Sequence, residues 1–122
     1  MSYEEAVWWE STLMRMLSRL QRKYLELSQR IMLENERIQR KQMKLMALTQ
    51  YMVTTTSEMD KIAAQNIIRN LERDIENELN LVRQLEQQRS MIEAGMQRLI
   101  DEIQQVRMSI MEKLARRRLA RI

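Results

Sequence analysis

The chain has no cysteine, no histidine, no proline and no phenylalanine, and its single glycine is Gly95. Each absence closes a class of fold or function. Without cysteine there is no disulfide framework, no thiolate nucleophile and no zinc–thiolate site. Without histidine the commonest general base and metal ligand are missing, and the Glu-x-x-His pairs of di-iron bundles cannot be written. One glycine cannot build a phosphate-binding loop or a dinucleotide fingerprint. With no proline and almost no glycine, little interrupts a long helix. Carboxylates at helical spacing, such as Asp74 with Glu78, offer oxygens to a hard cation, but read more simply as a solvated helix face. The expectation is a protein without catalysis, cofactor or metal.

Two targeting signals are also lacking. The opening MSYEEAVWWE is acidic where a secretory leader needs a basic region. No apolar run approaches the roughly 20 residues of a membrane-spanning helix. A soluble, cytoplasmic protein is the expectation.

What remains is rich in Leu, Met, Gln, Glu, Arg and Ile, all but Ile strong helix formers. Charged residues make up 31% of the chain and aromatics 4%. That balance suits helices that bury a narrow seam and leave the rest wet, rather than a broad core. Only Val53-Thr54-Thr55-Thr56-Ser57-Glu58-Met59-Asp60 breaks the helical pattern. Successive β-branched threonines disfavour helix, and two overlapping capping boxes follow, Thr55 with Glu58 and Ser57 with Asp60. A further box, Ser2 to Glu5, opens the chain. The expected elements are helix 1 over about 3–53 and helix 2 over about 57–120.

Both segments carry a heptad seam. In helix 1 it runs through Tyr3, Ala6, Glu10, Leu13, Leu17, Leu20, Tyr24, Leu27, Ile31, Glu34, Ile38, Lys41, Leu45, Leu48 and Met52. In helix 2 it runs through Ala64, Ile68, Leu71, Ile75, Glu78, Val82, Leu85, Arg89, Ile92, Met96, Leu99, Ile103, Val106, Ile110 and Lys113. The fold class is therefore all-α: one domain, an antiparallel two-helix coiled-coil hairpin that packs into a helical bundle on oligomerisation. A turn centred near residue 55 sets the basic residues of 15–44 against the acidic stretch 66–95. The polar seam residues Glu34, Lys41, Glu78 and Arg89 either fix register or bend outward along their stems. Gly95, in this register, faces Met14 to Met16.

The chain has more apolar residues than one seam uses. Val7, Trp8, Trp9, Met14, Met16, Met43, Met46, Met91, Met108 and Met111 lie off it, and there are twelve methionines in all. Neighbouring tryptophans cannot both enter one seam, because adjacent helical residues point about 100° apart. Methionine-rich surfaces accept varied partners, and surplus apolar faces also pack in homo-oligomers. Trp8, Trp9, Met14, Met16, Met43, Met46, Met108 and Met111 are therefore the candidate partner-binding residues, for another copy or a different protein.

Charge is concentrated at the end. Residues 107–122 hold Arg107, Lys113, Arg116, Arg117, Arg118 and Arg121 against Glu112, a balance of +5, and the remainder is −1. The expected register leaves this basic segment overhanging. Phosphate contact, a peripheral membrane face through Met108, Met111, Ala115, Leu119 and Ile122, docking to an acidic partner, contact with Glu4, Glu5 and Glu10, and a solvated helix end all remain open. Nucleic acid is the less expected partner, because no basic region precedes a zipper here.

In length, basic charge and unequal arms the chain is similar to the coiled-coil stalk proteins of flagellar and type III export, of the FliJ and YscO kind. That resemblance covers the whole chain in outline and implies an accessory or chaperone-like role in an export apparatus. The WXG-type hairpins of type VII secretion place Trp-x-Gly in the turn, whereas this turn is Val-Thr-Thr-Thr-Ser and the tryptophans come first. The function expected from the residues themselves is structural or adaptor-like.

Overall fold

A computed structural model of the chain describes residues 1–121. Two helices account for nearly all of it, α1 over Tyr3–Thr54 and α2 over Glu58–Ala120. They pack on each other as a hairpin.

The helix ends follow local chemistry. The Ser2 hydroxyl accepts from the Glu5 amide at 3.1 Å, as the opening box requires. At the turn only one of the two overlapping boxes forms. Ser57 directly precedes α2, and its hydroxyl accepts from the Asp60 amide at 3.3 Å. Thr55 lies too far upstream to cap α2, and its hydroxyl accepts from the Ser57 amide at 3.4 Å. The Thr55 amide closes α1 on the Tyr51 carbonyl at 2.9 Å. Tyr51 donates its hydroxyl to Asp60 at 3.2 Å, joining one arm to the other.

The chain divides into two compact units, Met1–Glu26 with Arg89–Ile122, and Leu27–Gln88. In the unit that holds the turn, Ile31, Ile38, Ile75, Val82 and Leu85 form a buried cluster, with Leu27, Leu45 and Leu81 packed against it. Lys41 crosses its seam to a short hydrogen bond with Glu78 and lies 3.9 Å from Asp74. Glu34 is buried among the apolar residues, and Arg37 of the same helix reaches its carboxylate at 3.2 Å. One polar pair thus bridges the helices while Glu34 is answered from its own helix. In the other unit Leu13, Leu99 and Ile103 form the core, with Trp9, Leu17, Leu20 and Val106 packed against it.

All thirty seam positions are buried or half-buried, so the heptad assigns the packed face of both helices. The register differs from the expected one. Gly95 faces Leu20, whose Cδ1 would lie 3.3 Å from an added Cβ, and not Met14 to Met16. Glu10 meets Arg107, and Glu4 meets Arg117. A turn centred at residue 55 sets Glu4 near residue 106; α1 runs to Thr54 and α2 starts at Glu58, which accounts for about two residues of the shift, and the observed pairs lie further along α2 than that. Residues up to Arg117 therefore lie beside α1, and the overhang is shorter than the expected 107–122. Ile122, expected on the apolar side of this segment, lies outside the described residues.

Among the described residues no helix is long and apolar enough to cross a membrane.

Candidate protein-interaction surface

The candidate surface starts from the pair of tryptophans. Trp9 turns toward the Leu13 core, and Trp8, one residue earlier on the helix, is 62% exposed. Their rings stack with centroids 6.0 Å apart and planes at 24°. Trp8 lines an open groove along α1 with Thr12, Arg15, Met16 and Arg19. The Thr12 hydroxyl is spent on the Trp8 carbonyl at 3.0 Å. An indole, a thioether and two guanidinium groups on one groove form an amphipathic strip, suited to an apolar anchor with an acidic rim.

The candidate partner residues do not form one patch. Met14 lies on the other flank of the same unit, where Arg107 approaches its sulfur at 3.8 Å. That flank holds a shallow groove of about 340 Å³ lined by Leu17, Gln21, Tyr24, Leu25, Met96 and Ile100. Met108 and Met111 are exposed on α2 of this unit. Met43 and Met46 belong to the other unit and are exposed there. The sequence reading passed over Leu25, Met32, Leu33 and Leu114, all exposed. Their signal was the same one, an apolar residue outside the seam.

The basic residues separate into paired and unpaired groups. Arg117 donates to Glu4 at 2.9 Å and lies 4.4 Å from the centre of the Tyr3 ring. Arg107 sits 3.6 Å from Glu10. Lys113 donates to Ser109 at 2.7 Å. Arg116, Arg118 and Arg121 make no side-chain bond among the described residues and are exposed. The hydrogen bond from Arg117, helped by the backbone amide of Glu4 itself, holds the Glu4 carboxyl below its ordinary value. The bond to Glu78 pushes the Lys41 ammonium above its ordinary value, with partial burial opposing and the charges of Glu78 and Asp74 adding.

Among the described residues no group of three or more His, Cys, Asp or Glu side chains could hold a metal ion. The grooves are open, two of them mostly apolar and the one at Trp8 mixed, suited to packing side chains rather than to enclosing a substrate. No protein-family model, curated protein or solved structure matches the chain.

Proposed function

We propose that this chain is a non-enzymatic coiled-coil protein that works by association, with another copy of itself or with a different protein. The observation that carries this reading is the exposure of large apolar side chains beside a seam that is already filled. Trp8, Met14, Met16, Met108 and Met111 are all at least 40% exposed in one unit. Apolar surface grouped in this way marks interaction sites more often than bare solvent contact. The absence of histidine, cysteine and glycine-rich loops supports a role without catalysis.

The test is sedimentation of the intact chain at physiological salt, with affinity capture from its own cell extract. Both are repeated on a variant carrying lysine at Trp8, Met14, Met16 and Met111. Association, as self-mass or as captured protein, is expected to fall in the variant. Equal association by both chains would sink the reading.

A second reading is favoured by the unequal arms, 52 and 63 residues, and by the unpaired arginines near the end of the longer one. In this reading the chain serves as an accessory of an export machine, and α2 presents Arg116, Arg118 and Arg121 to an acidic partner. Nucleic-acid contact through the same segment is weakened as a reading, because Arg107 and Arg117 are already paired with carboxylates.

A further inference from the structure

Fixing the seam also fixes every other column of the heptad. With seam residues counted as a and d, columns b and e lie on the flank that holds Met14, Arg107 and the Leu25–Ile100 groove. In a two-helix coiled coil the flanking columns are usually charged. On α1, from Val7 to Leu25, b and e read Val7, Ser11, Met14, Ser18, Gln21 and Leu25, with no charge. The same columns stay uncharged through Val53, in a chain that is 31% charged. The opposite flank of this unit carries Arg19, Lys23, Glu26, Arg98, Glu102 and Glu112. Without charges to desolvate, this flank can cover a second helix at low cost, and Val7 and Met14 on column e extend the apolar a and d face at the start of α1.

On α2 the matching columns between Ser90 and Leu114 include Gln97, Ile100, Gln104 and Met111, and hold only two charges, Glu93 and Arg107. Both lie on column e, seven residues before and seven after Ile100. A two-fold axis at Ile100, with α2 antiparallel to its mate, sets Ile100 against Ile100 and each Glu93 against the mate's Arg107. Two opposite-charge pairs then flank an apolar centre. Glu93 makes no bond within the chain among the described residues, and Arg107 retains guanidinium donors beyond its contact with Glu10. A surface that complements its own rotated copy in both charge and polarity meets the requirement of a closed, two-fold dimer.

We infer that the flank formed by columns b and e over residues 7–25 and 90–114 binds a second copy of this chain, antiparallel about Ile100, with Glu93 of each copy paired to Arg107 of the other. The inference rests on the association reading above and makes it specific.

The native chain has no cysteine, so single cysteines report position without background. Ile100→Cys and Arg19→Cys are made in the full chain and treated with a short bismaleimide. Cross-linked dimer is expected from Ile100→Cys and not from Arg19→Cys on the opposite flank. Glu93→Arg and Arg107→Glu are each expected to lower the dimer association constant about tenfold, since each turns two attractive pairs repulsive. The double reversal is expected to restore it. A dimer that cross-links through Arg19→Cys, or is indifferent to all three charge variants, would overturn this geometry and leave association itself standing. A native chain that sediments as one copy at every concentration would also overturn it, and the capture comparison would then decide the broader reading alone.

Discussion

At the scale of single residues, Gly95 is the clearest test of the register. A mid-helix glycine costs about 1 kcal/mol against alanine, so its retention asks for a reason. The added Cβ of an alanine would stand 3.3 Å from Leu20 Cδ1, a tight contact with the end of a half-buried, flexible side chain. Leu20 can yield by a few tenths of an ångström more cheaply than the helix carries glycine. Gly95→Ala is therefore expected to stabilise the protein by about 0.5–1 kcal/mol in urea unfolding. A loss of stability would mean that the helices need the glycine to approach, and that Leu20 is held fast. Lys41 and Glu4 give the pH dependence. Lys41 is raised above its ordinary value of 10.5, so its bond to Glu78 stabilises fully below that pH and is lost as pH climbs through the folded value. Glu4 is lowered from 4.5, so its bond to Arg117 stabilises above that pH and is lost as pH falls through the folded value. Lys41→Met should remove part of the alkaline decline in melting temperature and leave the acid side unchanged. It should also destabilise at neutral pH, because Glu78 already has one buried oxygen without a partner. Lys41→Met with Glu78→Leu should recover that loss by giving the seam an apolar layer.

At the scale of elements, the heptad was legible because helical packing is periodic and the chain offers no competing period. A seam residue such as Glu34 or Arg89 could be placed as securely as Leu13, since position alone assigned it. The turn was less legible. Thr55 and Ser57 are both capable caps, and the choice between them depends on which amide ends up first in α2, a tertiary matter. Yet helix 2 starts within a residue of where it was expected, and Gly95 still lies beside Leu20 and not Met14, because the register is set by how the seam side chains interlock and not by the turn alone. The interaction surface was legible only as a surplus of apolar residues. Its division into flanks required the seam first, and the absence of charge from α1 columns b and e between Val7 and Val53 is visible only afterwards. Ser57→Ala is expected to cost about 1 kcal/mol, the usual worth of an N-cap hydroxyl, while Thr55→Ala should cost less. Equal losses measured by urea unfolding would mean that both hydroxyls cap α2.

At the scale of the whole molecule, each of the two compact units holds its own fully buried leucine, Leu13 in one and Leu85 in the other. Neither cluster borrows residues from the other unit. Truncating either leucine to alanine removes core contacts and leaves a void, at a cost of about 2–5 kcal/mol. The two losses need not spread equally, because cooperative opening follows contiguous packed clusters. Under native conditions Leu13→Ala is expected to speed amide exchange over residues 3–26 and 89–120 while 31–85 stays close to the parent. Leu85→Ala should do the reverse. The unit that frays in Leu13→Ala also carries Trp8, Met14, Ile100 and Arg107, so association should weaken in that variant and persist in Leu85→Ala. Hydrogen exchange by mass spectrometry with sedimentation of the same samples separates the outcomes. Uniform exchange in both variants would mean one cooperative unit. Association lost with Leu85→Ala and kept with Leu13→Ala would move the interaction surface to the unit that holds Met43 and Met46.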